Sequence, residues 1–236
     1  MSIVEHQVIH FVAPKHLDER RIGKYAVDFD TAKPFKYLEL RDFLNHTTAV
    51  TLKRSLENLE FELKKSDLFE FFQTADLTNI SDSLKVSSCL KISEFADFLR
   101  SSSFRAYMMA ITGIDLSSSE ITMFGSKYED THYLLPHDDQ LEGRQIAFLF
   151  YFSEMNVGHG GELVLFDTQG GEVGSVQSTS AVCEAVRIRP RFNSFFFFEV
   201  SPQSLHAVSE VIGSGVRYTL AGWFVKRGSI QSGVYL

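Results

Sequence analysis

His137 and Asp139 stand two residues apart in the run Leu134-Leu135-Pro136-His137-Asp138-Asp139. In an extended strand alternate side chains share a face, so this imidazole and this carboxylate would project together while Asp138 points away. Such a pair makes two legs of a metal site, and the third must come from elsewhere in the fold. His206, which follows the apolar run 195–200 and a Ser201-Pro202 turn, can supply it. Two histidines and one carboxylate bind one face of Fe(II) and leave three positions open, the pattern of non-haem iron oxygenases. Arg217 lies eleven residues after His206 and begins Arg217-Tyr218-Thr219-Leu220. The same alternation puts Arg217 and Thr219 on one face, where a guanidinium fork and a hydroxyl suit a carboxylate held at the bottom of a barrel. A dicarboxylate that chelates iron at one end would present its other carboxylate there.

Each residue also has an ordinary reading. His-Asp pairs occur in exposed turns by chance, and an isolated His206 is more often a satisfied, half-buried histidine than a ligand. Combination with Arg217 tips the balance toward metal. The other histidines fit less well. His159 sits in Gly158-His159-Gly160-Gly161 and reads as a turn residue, and the odd spacing of His132 from His137 sends it to the opposite face of an unbroken strand. His6, His10, His16 and His46 fall outside any ligand pattern.

Positioning these groups requires a β framework, and the second half of the chain offers one. Beyond Ile121, short apolar runs of strand length at 146–152, 162–166, 182–188, 195–200 and 217–225 are separated by Gly- and Pro-containing turns. The first half reads as helical. Leu52, Leu56, Leu59 and Leu63 form one stripe that predicts a helix over about 48–65, and further helices are predicted from Ser93 and over 104–112, the last stopping at Gly113. Residues 1–33 read as a polar extension with a short β-like piece at 8–12, packed on or near a single domain that occupies 34–236. Helices first and strands second, without βαβ alternation, predict an α+β, mainly β, antiparallel sandwich or barrel with helices on one face. The 22 Phe residues, more than Tyr, Trp and Met combined, suit a thick core around a dry site.

The net charge of −7 argues against a nucleic-acid or anionic-membrane surface and leaves room for a basic protein partner. Cys89 and Cys183 belong to no CxxC pair and read as buried small residues in a reducing compartment. With neither a signal peptide at the N-terminus nor an apolar run of membrane-spanning length, the chain reads as cytoplasmic.

Several stretches carry a family resemblance. Chief among them are the His137–Phe148 block, HDDQLEGRQIAF; Phe197-Phe198-Glu199-Val200-Ser201-Pro202; His206-Ala207-Val208-Ser209-Glu210-Val211; and Ala221-Gly222-Trp223-Phe224. In these the chain resembles the 2-oxoglutarate/Fe(II) prolyl hydroxylases, and the ribosomal prolyl hydroxylase group most closely, over about residues 34–226. The resemblance implies a double-stranded β-helix (jelly-roll, cupin-like) core with helices on one sheet. It implies Fe(II), 2-oxoglutarate and O2, with ascorbate as reductant, and hydroxylation of a prolyl residue in a protein with release of succinate and CO2. Arg217 would pair with the distal carboxylate, helped by Tyr151, while Tyr128 lines the pocket. Eukaryotic members carry a second, non-catalytic β-helix domain after the catalytic one, so only the catalytic part is expected in these 236 residues. Two other readings stand beside this one: a hydroxylase of a free amino acid or other small molecule, and a binding module that has lost catalysis.

Overall fold

In a computed structural model that describes residues 10–78, 90–141, 143–168 and 182–228, the apolar runs become strands of one strongly curled antiparallel sheet. After a 3-10 turn at Pro14–His16, the elements among the described residues are α1 (Glu19–Thr31), β1 (Tyr37–Arg41), α2 (His46–Glu57), β2 (Glu62–Lys65), β3 (Phe69–Gln73), α3 (Leu90–Arg100) and α4 (Ser102–Thr112). Then come β4 (Ser119–Tyr128), β5 (Tyr133–His137), β6 (Arg144–Tyr151), β7 (Leu163–Asp167), β8 (Cys183–Ile188), β9 (Ser194–Glu199), β10 (His206–Val208) and β11 (Arg217–Lys226).

The strand order is β1-β9-β6-β11-β4-β3-β5-β10-β7-β8, with β2 paired to β3. Its first five strands form a large leaf and its last four a small one. β3 joins them, pairing Phe72 and Gln73 with β4 and Phe69 and Glu70 with β5. On the opposite side β1 and β8 are the two ends of the path. The sheet thus curls into a double-stranded β-helix.

Side-chain alternation decides which residues look outward and which inward. On β6, β9 and β11 the outward set includes Phe148, Phe150, Phe195, Phe197, Leu220 and Phe224, all essentially inaccessible. The helices cover this face through Phe29, Leu52, Leu56, Phe95, Phe98, Phe104 and Met108. Phe150 and Phe195 stack at 4.3 Å, and truncating such a ring to Ala costs about 3–5 kcal/mol. The inward set on the same strands holds Ala147, Tyr151, Phe196, Phe198, Trp223 and Val225 against Leu163, Leu165 and Ile188 of the small leaf. Covered on both faces, β9 is a continuous rather than alternating apolar run. At Gly222 a Cβ would lie 1.8 Å from the Thr122 carbonyl oxygen, so β11 and β4 can meet only there without a side chain. No helix among the described residues is long and apolar enough to cross a membrane.

The structure departs from the sequence reading in four places. The helix predicted to reach residue 65 ends at Glu57, with Asn58 as its C-cap. Its continuation becomes β2, where Leu63 is exposed because it faces away from the leaf. The polar N-terminal stretch contains α1, whose N-cap Asp18 accepts from the Arg21 amide and which buries Phe29. Of the β-like piece at 8–12, residues 8 and 9 lie outside the described residues, His10 and Phe11 are helical, and Val12 makes one bridge to Leu44. Cys183 is exposed, not buried, because β8 is an edge strand; Cys89 lies outside the described residues. Gly113 does cap α4, at φ 70°.

Candidate active site

β5 ends at His137, and β10 runs antiparallel beside it with His206 directly opposite His137. The rings come within 4.2 Å, centroid to centroid. Asp139 reaches the same point by a route that alternation did not anticipate. The strand has already ended, and Asp139 adopts φ 62°, a left-handed conformation that turns its carboxylate back toward both imidazoles. His137 Nε2 is 3.6 Å from Asp139 Oδ1, and His206 Nε2 is 3.6 Å from Oδ2. One ligand atom from each of the three residues lies within 4.8 Å of the others. Asp138 is turned to solvent against Gln140. His132 is buried beside Phe72, off the end of β5 and outside this cluster.

Protein groups fix the orientation of all three. His137 Nδ1 hydrogen-bonds the Leu135 carbonyl at 2.9 Å and His206 Nδ1 that of Ser204 at 2.7 Å. Because a carbonyl only accepts, the proton sits on Nδ1 and each Nε2 offers its lone pair to the shared point. Burial, and then the neighbouring His137, push the His206 pKa down to about 4, so this ring is neutral at physiological pH. The Trp223 indole N–H donates to Asp139 Oδ2 at 3.0 Å. Arg144 approaches Oδ1 and the Asp139 carbonyl, both at 3.4 Å, while its guanidinium lies 3.4 Å above the Trp223 ring. Two imidazoles with Nε2 turned to one point and one oriented carboxylate are the donor set suited to Fe(II).

The far end of the cavity has a different character. Arg217 is 1% exposed, and its Nε and Nη2 have no hydrogen-bond partner. Its guanidinium carbon lies 4.9 Å from the Tyr128 ring centre and 5.2 Å from that of Tyr151. The register places Arg217 opposite Tyr128 and Thr219 opposite Tyr151. Burial raises both phenol pKa values, so both hydroxyls are donors, and the Tyr151 hydroxyl is also unpartnered. Thr219 hydroxyl bonds Ser126. A buried guanidinium without an acceptor is costly, and two orphaned Arg217 donors at one space, with the Tyr151 hydroxyl behind them, suit a carboxylate. That space is a cavity of about 130 Å³ reaching from His137, Asp139 and His206 to Tyr128 and Arg217, with Leu68, Leu135 and Pro136 at its mouth.

All seven residues singled out from the sequence therefore lie around this cavity or directly behind it. Trp223 and Arg144 were not singled out, although Trp223 continues the inward alternation Arg217, Thr219, Ala221 and could have been found by that signal. Arg144 carried no such signal, because its approach to Asp139 depends on the turn between β5 and β6. Gly161 also escaped notice; a Cβ there would sit 3.4 Å from Arg217 Cδ.

Comparison with known proteins agrees with this geometry. The sequence model of the 2OG-Fe(II) oxygenase superfamily matches residues 123–225. The chain is 37% identical over 202 residues to the prolyl 3-hydroxylase OGFOD1 of Mus musculus, covering 84% of this chain and 34% of that protein. It is 34% identical over 208 residues to the prolyl 3-hydroxylase OGFOD1 of Xenopus laevis, covering 86% and 37% respectively. The chain thus spans little more than a third of the length of these relatives. A solved structure of similar fold is a prolyl hydroxylase from Trichoplax adhaerens in complex with a hypoxia inducible factor peptide fragment. It has a TM-score of 0.65 at 16% identity and covers 92% of this chain and 93% of its own.

Proposed function

We propose that the chain is an Fe(II)- and 2-oxoglutarate-dependent dioxygenase that hydroxylates a prolyl residue in a protein, a reading supported by the match of residues 123–225 to the 2OG-Fe(II) oxygenase superfamily model. One observation carries this reading: the buried, unpartnered Arg217 shares a cavity with the converging ligand atoms of His137, Asp139 and His206. Iron and 2-oxoglutarate, when bound, supply the oxidising chemistry that places one oxygen atom of O2 on a C–H carbon and the other in succinate, with release of CO2.

The protein's part is positioning and exclusion of water. His137, Asp139 and His206 would hold the metal, which would bind co-substrate and O2 when present. Arg217, with Nε and Nη2 unpartnered, would receive the distal carboxylate, and Tyr151 and Tyr128 would add phenol donors. Thr219 and Ser126 hold the polar floor beside it. Phe198, Leu163, Ala147 and Val208 keep the cavity wall apolar, and the exposed Leu68 and Leu135 at the mouth suit an apolar prolyl ring on a peptide. The names of the relatives favour C3 of that ring, and a ribosomal or translation protein as its bearer follows from the resemblance. The net charge of −7 supports a protein rather than nucleic acid as partner. Ascorbate as auxiliary reductant is carried over from the prolyl hydroxylases. The free, exposed Cys183 thiol fits a reducing, cytoplasmic compartment.

Purified protein supplied with Fe(II), 2-oxoglutarate and proline-containing proteome fractions should release succinate in step with a one-oxygen mass gain on proline. His137→Ala and Asp139→Ala should abolish both. Undiminished succinate release by either variant would sink the ligand assignment, and turnover on free amino acids alone would replace the protein substrate with a small one.

A further inference from the structure

We propose that the cleft between the outer ends of the curled sheet, β1 and β8, is a second ligand site, which takes a compact oxyanion carrying two negative charges, a phosphate ester or a dicarboxylate. The cleft has a volume of about 430 Å³, inside the range of about 300–1,000 Å³ usual for ligand pockets. It shares no lining residue with the central cavity.

Its charge is set by Arg41, Arg187, Arg189 and Arg191 against Glu39 and Glu162, four cations to two anions, an excess of two. That excess runs against a chain whose net charge is −7, so it is a local feature and not a drift of composition. The partnering is uneven. Arg41 is held by Glu39 at 3.2 Å, and Arg187 grips Glu184 at 2.7 Å while lying 3.9 Å from Glu162. Glu162 also accepts from the Ser209 hydroxyl at 2.7 Å. Arg189 and Arg191 have no carboxylate among the described residues, and the Arg189 Nε–H is buried without an acceptor. Buried donors are nearly always satisfied. Here the missing partner is an acceptor that the protein does not provide, next to two uncommitted guanidinium forks. Paired N–H donors in a plane match the oxygens of a phosphate or carboxylate. Tyr37, Val157 and Ile188 complete the lining with apolar surface, enough to seat the organic part of an ester or the methylenes of a diacid.

The test reads the Arg Nε–H resonances of the full-length 15N-labelled chain during separate titrations with inorganic phosphate and with succinate at constant ionic strength. The Arg189 resonance is identified by its loss in Arg189→Gln. It should shift saturably with at least one of the two anions, and the double variant Arg189→Gln/Arg191→Gln should weaken that binding by about tenfold or more, followed by calorimetry with both chains carrying Arg217→Met so that the central cavity does not contribute. Response to phosphate alone assigns the site to phosphate esters, and response to succinate assigns it to dicarboxylates. Because Arg189 reports only on its own cleft, succinate bound at Arg217 does not register. Absence of a saturable shift with both anions, or equal affinity in the double variant, overturns the proposal.

Discussion

The two ends of the central cavity are built on opposite principles. At the His137–Asp139–His206 end the orienting groups are satisfied: both Nδ1 atoms reach carbonyls, and Asp139 is held by Trp223 and Arg144. At the Arg217 end the donors are buried and left open. The first is a preorganised cluster of side chains able to hold a metal, whose geometry the protein fixes by itself. The second is an unmet electrostatic demand, which only a bound anion completes. Removing a group should therefore have different consequences at the two ends.

The largest expected effect is at the open end. Arg217→Met should weaken 2-oxoglutarate binding to the Mn(II)-loaded protein by about 2–5 kcal/mol, roughly thirtyfold or more. The melting temperature of the ligand-free chain should not fall, because an unpaired buried cation has been replaced by an apolar side chain of similar length. A steep loss of stability with unchanged 2-oxoglutarate affinity would break the comparison. At the wired end, Trp223→Phe keeps an aromatic ring beneath Arg144 but removes the indole N–H that bonds Asp139. Calorimetric titration with Mn(II) should show affinity lower by about 10- to 100-fold, with 2-oxoglutarate affinity of the metal-saturated protein changed much less. Equal metal affinity in the variant would mean that the left-handed turn at Asp139 orients the carboxylate without help.

The smallest effect lies away from both ends and serves as a control. His16 is buried, hydrogen-bonded to Tyr25 and close to the Arg41 and Asp42 carbonyls, and burial holds its pKa below 6.5. The unfolded chain therefore takes up the proton first. This contribution to stability is complete above about pH 6.5, shrinks as pH falls below it, and levels off once the folded imidazole is protonated. Urea midpoints of the wild type should drop more than those of His16→Asn between about pH 7 and pH 5.5. Parallel profiles would remove His16 from the account.

Much of the site was legible because it rests on alternation along strands. Arg217 and Thr219 share the inward face of β11 as their spacing requires, and Phe195 to Phe198 are buried as a two-sided strand. Asp139 does meet His137, but through a positive φ that alternation cannot foresee. Helix α1 was missed because its apolar contacts, Ile22, Tyr25 and Phe29, are thinly spread among charges, although Asp18 three residues ahead of Arg21 is a readable cap. Leu63 misled for the converse reason. It extends the stripe of Leu52, Leu56 and Leu59, yet Asn58 ends the helix before the stripe does.

β3 joins the two leaves of the sheet along one side only, like the spine of a book whose fore-edge is β1 and β8. His137 and His206 sit on one page, with Asp139 just beyond it; Arg217, Tyr128 and Tyr151 are printed on the facing one. A molecule held by both pages acts as a clasp. Its binding energy would add to the Trp223–Asp139 hydrogen bond that already crosses from one page to the other, so occupancy of the site stabilises the closed sheet.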